Sequence, residues 1–368
     1  MNKLKLISLK LNDTVIRFKD GQNYIIGRNA TGKTTIFNCI KYSLGLLKKY
    51  PYMLSGKVEL KVNIGNTELC FMREFDSALL HIFVDNEIQK FQVSSPKLNS
   101  FLSHLFAPQY LFHESSESIF DLLNFSFMSE DYSFNRRRQW EALKPVCGSN
   151  IMLLNSVQKD IFALEKEVQR NKGHEQIVYD FSTLLKANDN SFELERNIEL
   201  SKSDFFQEFK AKEELLSSAT NKFKEIESRS KLQLENRIQI IGDAFLNIRS
   251  QTFFKDKPFD GVEKFLNSSS NDISMGEAAF YAFNLVLATS QVTRNEELNF
   301  SQLIVNDGSL SVLDARVQND LVKVLDGIVT EDDGLQYIEF THRRDGISEG
   351  DIIFNLDDQF RGVNFYER

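Results

Sequence analysis

The segment GRNATGKTT, Gly27 to Thr35, has the residue types and spacing of a phosphate cradle. It satisfies G-x-x-x-x-G-K-[ST], follows the apolar Tyr24-Ile25-Ile26 and precedes the helix-like IFNCIKYSLG, the strand–loop–helix setting the motif requires. Consecutive backbone N–H groups at a helix N-terminus surround a phosphate, and the helix dipole adds to the attraction. Gly27 and Gly32 permit the backbone turns and close approach, with Arg28, Asn29, Ala30 and Thr31 forming the loop between them. Lys33 is placed to reach the outer phosphates, Thr34 to put its hydroxyl on Mg²⁺, and Thr35 lies just inside the helix. Arg28 adds a cation within reach of a phosphate.

Three segments of the last third also carry chemistry. ISMGE, Ile273 to Glu277, starts a helix. Ser274 followed by Glu277 three residues on is a capping-box pattern, so a purely structural role suffices for these residues taken alone. In SQLIVNDGSLSVLD, Ser301 to Asp314, three apolar residues and then Asn306-Asp307 resemble a Walker B strand, whose carboxylate holds Mg²⁺. YIEFTHRRD places His342 immediately after a strand, with Arg343 beside it. Elsewhere, Arg136 to Arg138 stand next to Trp140. They read either as a phosphate-backbone contact with base stacking or, more simply, as a solvated helix face anchored by the ring. His81, His104, His113 and His174 show no metal-ligand spacing. No nucleophilic triad and no acidic nuclease cluster stands out, so a nuclease, if involved, is another chain.

Positioning these residues takes a substantial core. The chain has 368 residues, enough for about two structural units. Its 42% hydrophobic and 26% charged content, with 32 Phe, excludes wholesale disorder. The net charge of −8 argues against a surface that coats nucleic acid everywhere, though not against a local basic patch. Three scattered cysteines give no disulfide framework, zinc knuckle or Cys-x-x-Cys hook and fit a reducing cytoplasm. No apolar run approaches the ~20 residues of a membrane helix, and MNKLKLISLKL alternates like a strand rather than a signal peptide.

Texture divides the chain in three. Residues 1–149 mix strands with the loop-helix: Leu4 to Leu11 open a strand or strand pair, Lys57–Ile64 and Thr67–Phe75 flank a Gly65-Asn66 turn as a hairpin, and Ile82 to Val84 add a strand. Residues 150–251 lack proline and interleave acid with base. There Leu154, Val157, Ile161, Leu164 and Val168 form a heptad seam. A break at Asn188 to Ser191 and a second, less regular helical stretch predict an antiparallel coiled-coil hairpin; an arm of ~40 residues extends about 60 Å. The alternative is a helical subdomain lying on the globular body. Residues 252–368 return to alternation, with helices at Gly276 to Ser290 and Val317 to Leu325. Strands are expected at Leu303 to Val305 and Tyr337 to Phe340, with a final hairpin strand at Ile352 to Leu356.

Taken together these motifs resemble the nucleotide-binding heads of the ATP-binding-cassette superfamily, in the branch of SMC/Rad50/RecF/RecN-like ATPases. The resemblance covers both flanks of the helical segment, and the order matches: phosphate loop, coiled-coil insertion, signature, Walker B, D-loop, switch histidine. ISMGE looks like the family's LSGGE, with Met275 where Gly is usual; Val312 to Asp314 looks like the D-loop's A-L-D; His342 matches the switch histidine. Gln109, in FAPQYLF, looks like the Q-loop glutamine that reaches Mg²⁺ and the attacking water. The resemblance implies an α/β P-loop head with mixed and antiparallel sheets, flanking helices and a coiled-coil interruption. It implies ATP and Mg²⁺ as cofactors, with Thr34, Asp307 and Gln109 at the metal and Asp307, His342 and Gln109 as catalytic residues. It further implies a head-to-tail homodimer in which Ser274, Gly276, Glu277 and Asp314 of one head complete the partner's site.

One departure matters. The family usually has Asp-Glu at the end of Walker B, where the Glu polarises water; here Gly308 follows Asp307. Hydrolysis is then slow with ATP acting as dimer glue, or His342 or the partner's Asp314 orients the water, or the chain binds nucleotide without turnover. Weak ATPase activity is the favoured reading, and a glutamate restored at 308 is expected to speed it. The functional expectation is a sensor or regulatory subunit with a nuclease or other effector in antiphage defence, with DNA as a further partner and no membrane. The alternatives are a DNA repair or recombination ATPase, and a transporter ATPase subunit, for which an insertion of this kind before the signature is wrong.

Overall fold

The computed structural model describes residues 4–52, 54–85, 87–106, 119–129, 139, 143, 157–173, 192–267, 274–295, 302–329, 335–343 and 345–359. Backbone proximity divides the chain into two compact units, Met1–Gly148 with Leu234–Arg368, and Ser149–Gln233. The first carries every described motif.

Its N-terminal half supplies β1 (Leu4–Leu11), β2 (Thr14–Arg17), β3 (Gly21–Ile26), α1 (Lys33–Ser43), β4 (Lys57–Ile64), β5 (Thr67–Glu74), β6 (Leu79–Val84), β7 (Glu87–Gln92), α2 (Pro96–Phe106), α3 (Ile119–Asn124) and β8 (Phe127–Ser129). Six strands form one sheet in the order β2-β1-β4-β5-β6-β7, antiparallel throughout. The alternation of KVELKVNI buries Val58, Leu60, Val62 and Ile64 on one face. Ile64 pairs with Thr67, which leaves Gly65-Asn66 as the two-residue turn.

β3 joins a second sheet, whose other strands come from β8 and from β9 (Leu303–Asp307), β10 (Gln336–Thr341) and β11 (Ile352–Asn355), in the order β11-β3-β10-β9-β8. Every pairing in it is parallel. β3 is buried along its whole length, as a strand covered on both faces must be. The segment at Ile352 is therefore no hairpin strand. It runs parallel to β3, a strand more than three hundred positions earlier in the chain, and such non-local pairing leaves no turn signal.

α1 lies between the two sheets. Phe37 packs edge-on against Phe127 and Phe340 of the parallel sheet, at 6.0 Å from each. On the other side Tyr42 donates to the Glu74 carbonyl at 2.7 Å, and the Arg73 guanidinium sits 3.6 Å from its ring centre. Arg73 is 1% exposed and spends its donors on the carbonyls of Tyr42, Leu47, Lys48 and Ser77, so a cation closes the C-terminal end of α1. Gln336 of β10 bridges the sheets: its side chain accepts from Leu6 N–H at 2.8 Å and donates to the carbonyls of Leu6 and Lys19. That link falls where the β1–β4 register shifts between Leu6 and Ser8.

The other unit is helical. Residues 157–173 form α4, which buries Ile161 and Val168 of the heptad seam; Leu154 and the break at 188–191 lie outside the described residues. Phe209 is buried in the same unit, where Lys212 pairs with Glu167 at 2.7 Å and Lys172 with Glu213 at 3.2 Å. The helix α5 (Phe192–Ser250) runs unbroken through residue 234. The sequence reading ended the insertion at 251, where this helix stops, yet Ile241, Phe245 and Ile248 are buried in the head. The head is completed by α6 (Val262–Asn267), α7 (Met275–Asn295), α8 (Ala315–Ile328) and a short α9 (Leu356–Gln359).

Candidate functional site

Strand β3 ends at Ile26, and the chain turns at once into the phosphate loop. Gly27 N–H donates to the Thr341 carbonyl at 3.1 Å, which ties the loop to the end of β10. Ala30 stands at φ 64°, a left-handed conformation that a residue with a Cβ seldom adopts, so the loop is held in a strained form. Gly32 follows at φ 99° and is the N-cap of α1, with no side-chain cap and no acid in the first turn. The opening N–H groups of α1 therefore have no side chain in front of them, as an anion site requires. Lys33 folds back over the loop and donates to the carbonyls of Gly27 and Arg28, both at 2.6 Å. Burial pushes its ammonium below the ordinary lysine value, while Asp307 and Asp357 pull the other way. Thr31 donates to the Arg28 carbonyl at 2.8 Å, and Arg28 N–H donates to Asp357 Oδ1 at 3.0 Å. The Arg28 side chain itself is 88% exposed.

A cleft of about 350 Å³ opens beside this loop at the C-terminal ends of the parallel strands, where open α/β sheets place their ligands. Asn29, Lys33 and Thr34 line one side; Asp307, Gly308 and His342 line the other. The Thr34 hydroxyl donates to the Asp307 carboxylate across the gap. Burial pushes that carboxyl up to about 6, against the pull of Thr34, Lys33 and Lys41. A hydroxyl and a half-buried carboxylate facing each other beside uncapped helix N–H groups suit a magnesium–phosphate pair. The cation would restore the charge balance that burial disturbs.

The other motif residues lie elsewhere. Ser274, Gly276, Glu277 and Asp314 are not among the residues that line the cleft, and neither is Thr35, whose carbonyl accepts from Tyr50 at 2.9 Å. ISMGE closes the capping box: Ser274 Oγ and N–H both donate to Glu277 Oε2, at 2.8 and 3.3 Å, and Glu277 N–H returns a bond to Ser274 Oγ at 3.3 Å. Gly276 lies 3.7 Å, measured from where a Cβ would stand, from Val312 and Leu313, so the signature start and the D-loop form one surface. Asp314 is the N-cap of α8, accepting from Arg316 N–H at 2.7 Å. Gln109, His113, His174, Arg136 to Arg138 and Trp140 lie outside the described residues. Among the described residues no group of His, Cys, Asp or Glu could hold a metal as a cluster, and no helix is long and apolar enough to cross a membrane.

Arg343, which the sequence placed beside His342, lines the cleft. Two residues the sequence reading passed over also reach this region: Glu339 lines the cleft, and Asp357 holds the loop from the far end of the chain. A charged residue within the apolar run YIEFT was a usable signal for Glu339; Asp357 had none. Gly308 is also more than a missing side chain. It stands at φ 66°, inside a turn in which Ser309 donates from N–H (3.3 Å) and from Oγ to Asn306 Oδ1, and Ser311 N–H donates to the Gly308 carbonyl at 2.9 Å. A glutamate there would be strained and would leave the backbone in a different direction from one on an extended strand end.

Among solved structures, the chain is similar to an Smc head domain with an extended coiled coil from Pyrococcus furiosus, bound there to the C-terminal domain of ScpA. The TM-score is 0.57 at 15% identity over 93% of this chain and 90% of that one. An Smc head domain with a coiled coil and joint from Pyrococcus yayanosii overlaps with a TM-score of 0.48 at 14% identity, over 93% and 92% of the two chains. No protein-family model matches, and no curated protein sequence does. The fold is that of an Smc head domain: an α/β head of one antiparallel and one parallel sheet, interrupted by a helical insertion.

Two outcomes follow from the geometry. Asp307→Asn keeps an acceptor for Thr34 and removes a charge that burial disfavours. It should stabilise the ligand-free protein by on the order of 2 kcal/mol near neutral pH. The carboxyl titrates higher folded than unfolded, so this gain should be absent below about pH 4 and grow to its full size above about pH 6, in urea unfolding followed against pH. A gain that does not change with pH would refute the buried-charge account. Gly308→Glu, by contrast, should lower the urea stability by about 1–2 kcal/mol and leave ATP turnover no faster; a faster, equally stable variant would show that the turn yields.

Proposed function

We propose that this head binds ATP with Mg²⁺ and pairs head to tail with a second copy, so that each nucleotide lies between the phosphate loop of one copy and Ser274 to Glu277 of the other. The observation that carries this reading is the uncapped start of α1 facing Asp307 across the cleft, with Ser274 to Glu277 not among the residues that line it. In this reading one chain supplies half of an ATP sandwich and its partner supplies the other half.

In this reading the N–H groups of Gly32 to Thr34 hold the β- and γ-phosphates, and Lys33 exchanges the carbonyls of Gly27 and Arg28 for phosphate oxygens. Thr34, Asp307 and Gln109 would hold Mg²⁺, which would neutralise charge on those oxygens. Ser274 and the N–H groups beside it meet the γ-phosphate of the partner's nucleotide, and Asp314 adds to the same face. His342 contacts the γ-phosphate from the end of β10. ATP favours the closed pair because only there are all of its oxygens matched, and hydrolysis removes that differential. Turnover is slow because Gly308 offers no base.

The same reading makes the chain a sensor or regulatory subunit that works with a nuclease or other effector in antiphage defence, acting in the cytoplasm, with DNA as a second possible ligand. Its support is the helical insertion, which has no zinc-binding cluster among its described residues, and the Pyrococcus furiosus Smc head, which was captured with a protein partner. Co-purification of a co-encoded nuclease supports this role, and a membrane permease in its place would overturn it.

The pairing itself is tested by light scattering with Mg²⁺ and ATP. Wild type should shift from monomer to dimer. Lys33→Ala should lose nucleotide binding and the shift together. Ser274→Arg should bind ATP within a few-fold of wild type and fail to dimerise, because the obstruction lies on the face offered to the partner. Normal dimers of Ser274→Arg would remove the trans contact from the scheme.

A further inference from the structure

β10 lies between β3 and β9, and the only one of its residues that is not buried is Glu339. Alternation places Glu339 with Tyr337 and Thr341 on one face of the sheet and Ile338 with Phe340 on the other, and Phe340 is the one packed on Phe37 of α1. Across the sheet, Glu339 pairs with Asn306 and Phe340 with Asp307. Glu339 therefore shares a face with Asn306, two residues before Gly308.

Among the described residues lining the cleft, two are carboxylates, Asp307 and Glu339. Asp307 is engaged with Thr34. Glu339 is held in place by the Tyr337 hydroxyl, which donates to Oε2 at 2.7 Å. Burial pushes its carboxyl above the usual carboxylate range, against the Tyr337 bond and the Arg343 charge, which favour the ionised form. A positioned carboxylate of raised basicity that opens on a phosphate cleft is equipped to take a proton.

We propose that Glu339 is the proton acceptor for ATP hydrolysis in this chain, in place of the residue missing at 308. The attacking water forms its bond to the γ-phosphorus. The bond from phosphorus to the β,γ-bridging oxygen breaks, and ADP leaves with that electron pair. The proton of the water passes to the Glu339 carboxylate and from there to solvent. A strand spacing of ~4.8 Å and two residues of rise put the Cα atoms of Glu339 and Gly308 about 8 Å apart. A glutamate at that depth acts through one intervening water, which fits slow turnover. This inference rests on the ATP-binding reading above and adds the residue that performs the chemistry.

The test is Glu339→Gln in the full-length protein. The amide oxygen still accepts from Tyr337 and a charge that burial disfavours is removed, so the unfolding midpoint without nucleotide should not fall below that of wild type. We expect kcat to fall by about 10²-fold or more, with KM and ATP affinity within about twofold, and the ATP-held dimer to persist correspondingly longer in light scattering. Glu339→Asp, which keeps the acid but shortens its reach, should fall between the two. Unchanged turnover in Glu339→Gln overturns the proposal, as does a loss of kcat, affinity and melting temperature together, which marks a structural residue. A wild type that dimerises with ATP but releases no phosphate overturns it and leaves the binding reading intact. A wild type that never dimerises with ATP removes that reading instead.

Discussion

Everything at the site depends on the first turn of α1 being left uncapped and rigid. The donors of a helix start would ordinarily be met by a Ser, Thr, Asp or Asn side chain. Here the N-cap is Gly32, and no side chain takes that role. Such a helix end is tolerable because the rest of α1 is clamped. Phe37 is wedged against Phe127 and Phe340, Tyr42 against Phe75, and Arg73 closes the C-terminal carbonyls. The open donors are held still by packing at the other end of the same helix. Gly27 N–H on the Thr341 carbonyl and Arg28 N–H on Asp357 then fix the loop before them.

Much of this was readable in the residues. The phosphate loop announced itself through glycine spacing between an apolar strand and a helix, and β4 and β5 through strict alternation about Gly65-Asn66. Asn306-Asp307 emerged at the end of a buried strand, as its apolar run implied. The capping box closed as the Ser274–Glu277 spacing implied. What escaped had physical reasons. EIQKFQ at β7 is an edge strand with little to bury, so its pattern carries almost no apolar signal. β11 pairs in parallel with β3, and no local turn marks such a partner. The insertion was read as lasting to 251 because its helix does; periodicity reports the helix and cannot report that Ile241, Phe245 and Ile248 have passed into a different core.

The stretch from Asn306 to Ser311 shows how a missing side chain can be a change of backbone. Asn306 holds Ser309 through its amide oxygen, Ser311 returns a bond to Gly308, and Gly308 itself is left-handed. At the end of β9 this chain makes a tight turn. The strand alongside carries an acid, Glu339, paired with Asn306. The polar lining of the cleft is thus divided between β9, which offers Asp307, and β10, which offers Glu339, with His342 just beyond it.

The place of β3 in its sheet has a consequence for how the protein comes into being. Its two neighbours are β10 and β11, which are synthesised more than three hundred residues after it. Until then, the most completely buried strand of the head has no edge to join, and Gln336 has not yet reached Leu6. Closing so long a loop is entropically slow, and an unpaired apolar strand is prone to associate with other chains in the interval. An early-terminated product ending before Gln336 would hold the entire phosphate-loop sequence and still lack a sheet to carry it. The phosphate loop and the sheet that carries it are thus brought together from segments made far apart in time.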